Sequence, residues 1–233
     1  MDTNSRGEKP TVVIVIPALN EASTIGAVLD EIPVAELETA GYRVRTLVVD
    51  NGSTDGTSSV VARRNAEVIL EPERGKGMAM RRAFREAGGD YVFMLDADAT
   101  YPPAHIPEML EKLTHGCDVV TGSRLKGHRA PGSISAVNLL GNHLLTWLAC
   151  ILYHRRISDL CTGYWGFRAG VLPRLSLHSK GFNLEAELFA EVVRNGFTTC
   201  EVPIDYRRRP TPAKLRALRD GARIARTLFT KRF

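Results

Sequence analysis

Several common signatures are missing from this chain, and each absence closes off a class of explanation. No GxGxxG follows the first apolar run and no GxxxxGK[ST] occurs anywhere, which disfavours a dinucleotide dehydrogenase and a P-loop nucleotidase. The four cysteines, Cys117, Cys150, Cys161 and Cys200, form no CxxC pair, so neither a zinc site nor a secreted disulfide framework is expected. Buried, reduced thiols in a cytoplasmic protein are the expectation instead. The opening MDTNSRGEKP lacks the apolar stretch of a signal peptide, which leaves residues 1–10 as a flexible lead-in to one domain over 11–233. Charge is missing altogether between Ala130 and Tyr153. That stretch is long enough to suggest a membrane span, but Asn138, Asn142 and Thr146 recur every four residues with His143 beside them. The spacing predicts an amphipathic helix over 134–152 at a surface, with no transmembrane helix; burial against the protein's own core and docking on lipid both fit it.

What is present begins with a net charge of +5 over 233 residues, 44% of them hydrophobic, enough for one full core. Much of the excess charge lies late: Lys214 to Arg232 holds seven basic residues against one acid, Asp220. Such a run suits a solvated helix face or an anionic surface, lipid or phosphate. Aromatics are not regularly interleaved with it, and no nucleic-acid partner is expected. Short apolar runs at Thr11–Ile16, Arg45–Val49, Glu67–Leu70, Tyr91–Leu95 and Asp118–Thr121 alternate with helix candidates at Ala22–Ile32, Thr57–Arg64, Lys76–Ala87 and Ala104–Leu113. The alternation predicts an α/β fold, a mostly parallel sheet with helices on both faces. A further helix is expected over Leu184–Asn195, then a strand ending in EVPIDY and a basic helix from Ala213.

In such sheets ligands bind at the carboxyl ends of the strands, and the polar motifs stand there: PALNE, DNGSTDGT and DADAT. The stretch MLDADATYPP ends an apolar run in Asp96 and Asp98. In an extended chain, residues two apart face one side, so the two carboxylates repel unless a cation sits between them. A divalent cation held there would bridge the phosphates of a nucleoside diphosphate and neutralise it as a leaving group. Asp50, directly after TLVV, stands where a carboxylate can accept from a ribose hydroxyl or a base N–H.

The series PALNE, VVDNGSTDGT, RGKGMAMRRAF, DADAT, GSR and GNHLLTWLACIL resembles inverting glycosyltransferases of family 2 with the Rossmann-like GT-A fold. SDLCTGYWGFR, FNLEAEL, EVPIDYRRR and KLRALRDGARI are similar to the branch that makes dolichyl- or polyprenyl-phosphate mannose or glucose. The resemblance implies a nucleotide-binding half over about 11–121 and an acceptor half over 122–233. It implies that Pro17, Glu21 and Asp50 hold base and ribose, within a wider nucleotide-sugar set of Ala18, Asn20, Ser53, Lys76 and Ala97. Asp96 and Asp98 match the metal-binding aspartate pair, with Mg²⁺ or Mn²⁺ as cofactor. Arg209 and Lys214 match the basic residues that close over the donor diphosphate, and Arg124 matches an arginine that meets the acceptor phosphate; Arg129, clustered with it, is a further acceptor-phosphate candidate. Arg155 and Arg156 add charge beside the apolar helix and favour a phosphate acceptor.

The implied reaction moves a hexose from a UDP-glucose or GDP-mannose type of donor to a polyprenyl phosphate at a cytoplasmic membrane face. A phosphate arrives ionised and needs no strong base. A hydroxyl acceptor on a small molecule or a protein would need one, and Asp159, Glu185 and Glu187 are the candidates. A non-catalytic nucleotide-sugar-binding subunit is the alternative outside enzymes. Two departures from the family pattern stand out. DNGS replaces the commoner DDGS at Asn51, and the RPTPAKL stretch carries Thr211, Pro212 and Ala213 in a loop expected to move.

Overall fold

The computed structural model describes residues 9–211 and 216–232. Lys214, with Pro212 and Ala213 of the RPTPAKL stretch, and residues 1–8 of the expected lead-in lie outside the described residues.

Seven strands form one sheet in the order β3-β2-β1-β4-β6-β5-β7. They are β1 (Thr11–Ala18), β2 (Arg43–Asp50), β3 (Glu67–Leu70), β4 (Tyr91–Met94), β5 (Val119–Ser123), β6 (Trp165–Arg168) and β7 (Thr199–Pro203). All neighbours pair in parallel except at β6, which runs antiparallel to both β4 and β5. β1 reads TVVIVIPA and its residues 12–16 have no solvent exposure, as expected of a central parallel strand covered on both faces. One core cluster packs Val13, Val15, Leu47 and Met94 with Met80 and Leu188; the other packs Ile14, Ile16 and Phe93 with Ile25 and Met109. Helices therefore cover both faces, as the alternation of the sequence required.

The helices are α1 (Ile25–Asp30), α2 (Val34–Thr39), α3 (Thr57–Ala62), α4 (Lys76–Glu86), α5 (Ile106–Thr114), α6 (Ala136–Tyr153), α7 (Leu184–Arg194) and α8 (Ala217–Arg232). Two elements escaped the sequence reading. α2 is a six-residue turn of helix, and β6 is four residues, WGFR, with a glycine inside it. β6 is too short and too uniformly buried to alternate, and Gly166 is required because a Cβ there would stand 2.6 Å from the Phe93 ring.

α6 is long and apolar enough to cross a membrane by length and composition alone, yet its polar stripe is turned inward. Asn142 and Thr146 are buried, while Val137, Leu140, Leu144, Trp147 and Ile151 are 48–64% exposed. Thr146 Oγ1 accepts from Leu160 N at 3.1 Å and Asn142 Oδ1 from Cys161 N at 3.3 Å, so the polar side binds the loop ahead of β6. The expectation of four reduced thiols needs correction. Cys117, just before β5, and Cys200 in neighbouring β7 are disulfide-bonded with Cα atoms 6.1 Å apart, and Cys150 and Cys161 are free. The two are 83 residues apart in sequence, and only the β5–β7 pairing brings them together.

Candidate active site

The carboxyl ends of β1 and β2 lie side by side, with Ala18 opposite Asp50 in the register. Asp50 is buried; it accepts from Ser53 N at 2.8 Å and from the Ser58 hydroxyl. Asn20, in the left-handed region at φ 51°, receives Thr54 N on its side-chain oxygen at 2.8 Å, and its own N–H donates to Ser53 Oγ at 2.9 Å. The two loops are thereby stitched together. Pro17 closes β1 half-buried, whereas Ala18 and Ala97 are buried in the core, so only their backbones face any ligand.

Asn51 shows why DNGS stands where DDGS is commoner. Its amide nitrogen donates to Glu71 O at 3.0 Å and Glu73 O at 2.7 Å, and its oxygen accepts from Gly75 N at 2.6 Å. A carboxylate has no hydrogen to give the two carbonyls. The side chain ties the loop after β3 to the end of β2 and leads into α4.

Asp96 and Asp98 follow β4. Asp98 Oδ1 accepts from the N–H and hydroxyl of Thr100 at 3.1 and 2.6 Å, which shapes the turn at Ala99 (φ 61°). Burial, with the neighbouring Asp96 charge, raises the Asp98 carboxyl above its ordinary value. Both aspartates are met by cations of the chain itself. Lys76 Nζ lies 2.7 Å from Asp96 Oδ1 and 2.7 Å from Glu185 Oε1, and Arg209 spans Asp98 (3.1 Å) and Glu21 (2.8 Å). Burial alone would lower the Lys76 ammonium; the two carboxylates outweigh it and hold the pKa above its ordinary value. Room for this pairing comes from Gly163, where a Cβ would stand 2.6 Å from Asp96 Oδ2.

Among the described residues no group of three or more His, Cys, Asp or Glu is placed to hold a metal by itself. Two carboxylates drawn to cations still fit a divalent ion, provided its other ligands come from a diphosphate and water. Mg²⁺ and Mn²⁺ both accept that donor set.

Arg124 is buried and bound side-on by Asp159: Nε donates to Oδ2 at 2.7 Å and Nη2 to Oδ1 at 2.7 Å, with Asn142 donating to the same Oδ1 at 2.6 Å. Burial opposes charge on Asp159, but Arg124 outweighs it and holds the carboxyl below its ordinary value. The guanidinium lies over the rings of Tyr206 (5.2 Å) and Tyr101 (6.0 Å), which the sequence reading missed because nothing in their spacing relates them.

These groups share one cavity of about 640 Å³. Lys76, Asp96, Asp98, Arg124, Glu185 and Arg209 line one part of it. Val137, Leu144 and Leu145 of α6 and Leu218, Ala222 and Ile224 of α8 add apolar side chains to its lining, with Asn138, Asn142 and Tyr206 among them. Four expected residues stand apart. Arg129 lines an adjoining groove with Ser133 and Leu139, Arg155 and Arg156 are exposed beyond the far end of α6, and Glu187 is buried on α7 away from the cavity.

The sequence model of "Glycosyl transferase family 2" matches residues 13–175. The chain belongs to glycosyl transferase family 2. It is 33% identical to glycosyltransferase AglJ of Haloferax volcanii over 94% of this chain and 71% of that protein. It is 30% identical to the dolichyl-phosphate hexose transferase of the same organism, over 93% of this chain and 92% of that one. Among solved structures, glucosyl-3-phosphoglycerate synthase from Mycobacterium tuberculosis, in complex with Mn²⁺ and UDP-glucose, superposes with a TM-score of 0.72 at 25% identity, covering 95% of this chain and 79% of that one. The protein is thus a glycosyltransferase with a GT-A-like fold.

Proposed function

We propose that this family 2 glycosyltransferase moves a hexose from a nucleoside diphosphate sugar to the phosphate of a polyprenyl lipid, working at a membrane surface. One observation carries the reading: a single cavity joins seven charged side chains, Arg208 among them, to apolar side chains of α6 and α8. A phosphate with a long hydrocarbon tail has the matching polarity. A small hydrophilic acceptor gains nothing from Leu144, Leu145 and Leu218.

In this reading the nucleoside lies on Pro17, Asn20, Glu21, Asp50 and Ser53 at the ends of β1 and β2. Asp96 and Asp98 would hold Mg²⁺ or Mn²⁺, which when bound supplies positive charge against the diphosphate. Arg209, released from Asp98 and Glu21, and Lys76 add positive charge along the diphosphate, which leaves with the electron pair of its bond to the sugar's anomeric carbon. An oxygen of the acceptor phosphate forms the new bond from the opposite face, with inversion. Arg124 orients that phosphate through the guanidinium hydrogens Asp159 does not take. Asp159 is spent on Arg124 and Glu185 on Lys76, so neither is a free base. The scheme needs none, because the acceptor arrives ionised.

The membrane surface in this reading is the outward face of α6. Arg155 and Arg156 stand at one end of it, and α6 carries no charged residue of its own.

The test is a transfer assay with UDP- and GDP-hexoses, Mn²⁺ or Mg²⁺, with and without polyprenyl phosphate in detergent, read by mass spectrometry. A glycolipid from one donor is expected, and Arg124→Glu should abolish it while nucleotide still binds. Donor binding or hydrolysis with no lipid product would sink the lipid acceptor and leave a soluble one.

A further inference from the structure

α4 opens without a side-chain cap, at Gly75 with φ 137°. The backbone of 179–180 crosses its first turn, and Gly77 N donates to Lys180 O at 3.2 Å. A Cβ at Gly75 would collide with the Lys180 carbonyl oxygen, and one at Gly77 with that of Ser179. The glycines on either side of Lys76 thus exist for this crossing. Wherever 179–180 lies, Lys76 must follow.

That segment is held from behind by α7. Ser176 N donates to Glu191 Oε2 at 3.0 Å, His178 N to Glu187 Oε1 at 2.9 Å, and Ser179 N to Glu187 Oε2 at 2.7 Å. Glu187 and Glu191 are buried one helical turn apart, and two buried anions so placed repel. Lys231, in the last turn of α8, answers both: its Nζ lies 2.9 Å from Glu187 and 3.1 Å from Glu191, and donates to Ser176 O at 2.6 Å. Asn183 adds a second tie, donating to Ser179 Oγ at 2.7 Å and to Thr227 of α8 at 2.9 Å.

We propose that Lys231 is a remote positioning residue for sugar transfer. By neutralising Glu187 and Glu191 it fixes segment 176–180, which fixes the first turn of α4 and hence Lys76 between Asp96 and Glu185. The inference rests on Lys76 belonging to the donor-binding set proposed above. None of the polar partners of Lys231 lines the cavity, and its effect travels through the two carboxylates to the backbone of 176–180 and on to Gly77.

The test uses the whole chain with UDP and GDP as probes, each with Mn²⁺, by titration calorimetry, alongside amide hydrogen exchange. Lys231→Met should weaken the tighter-binding nucleotide by roughly ten- to a hundredfold, as loss of a supporting partner does. It should speed exchange over residues 75–80 and leave β1 and β2 protected. Lys231→Arg, whose guanidinium can also span two carboxylates, should restore both. Affinity held within about twofold of the parent, or protection lost across the whole sheet, overturns the proposal. If Lys231→Met does not fold, Glu187→Ala, which removes the acceptors of His178 N and Ser179 N, carries the same expectations for nucleotide affinity and exchange. Lys76→Met separates the layers. If it leaves nucleotide affinity unchanged, the donor-binding reading of Lys76 fails; if it weakens binding and Lys231→Met does not, only the positioning role fails.

Discussion

Single side chains decide more here than their types suggest. Asn51→Asp is a one-atom change that a family pattern would call harmless, yet it removes two donated hydrogen bonds, to the carbonyls of Glu71 and Glu73, and sets a charge against them. The expected loss is about 1–3 kcal/mol of unfolding free energy, read from the urea midpoint. A variant as stable as the parent would overturn this account of Asn51. Asp159 supplies a prediction with a sign. Its folded-state pKa is depressed, so its contribution is full above the unfolded value, about 3.9, and lost as pH falls through the folded one. Asp159→Asn should therefore cost stability at neutral pH, and the gap to the parent should close only as acid is added below about pH 4. A gap independent of pH down to acid unfolding would remove the ion pair from the explanation. At this scale the sequence was legible in part. DADAT and DNGST announced carboxylates at strand ends, but nothing near Asp159 said that its partner would be Arg124, 35 residues earlier, and not a substrate proton.

Among the elements, α6 is the one whose sequence pattern and packing must be read against each other. The fourfold polar repeat identified its faces, but the direction of burial followed from Asn142 and Thr146 finding partners in the loop before β6, which no periodicity reveals. The outcome is a helix with its apolar stripe in solvent. Full burial of one large apolar side chain is worth about 1.5–3 kcal/mol, so five of them, roughly half to two-thirds exposed, leave on the order of 5 kcal/mol unrealised in water. The proposed membrane face is tested by replacing Leu140 and Trp147, neither of which lines the cavity, by Asp: the parent should sediment with anionic liposomes and the variant should not, while thermal unfolding stays within a few degrees of the parent. Undiminished sedimentation would remove α6 from the lipid contact. The strands show the complementary lesson. β1 and β2 were readable because long, largely buried β-branched runs separate cleanly from helices, whereas WGFR has no alternation and becomes β6 only by filling the gap between β4 and β5.

For the molecule as a whole, the alternation of strands and helices was enough to foresee the mostly parallel sheet, because parallel connections leave few alternatives. The reversal at β6 was not foreseeable, and much follows from it. Since β6 runs the other way, the loop that enters it, with Asp159 and Gly163, arrives at the end of the sheet where β4 delivers Asp96 and β5 delivers Arg124. The sheet is also laid out in blocks: strands from residues 11–94 occupy one side, those from 119–203 the other, and the β4–β6 ladder is the seam between them. In evolutionary terms that seam is a place to splice. A descendant could inherit the first block with its strand-end carboxylates intact and exchange everything beyond one four-residue ladder, replacing Arg124, Glu185 and Arg209 together.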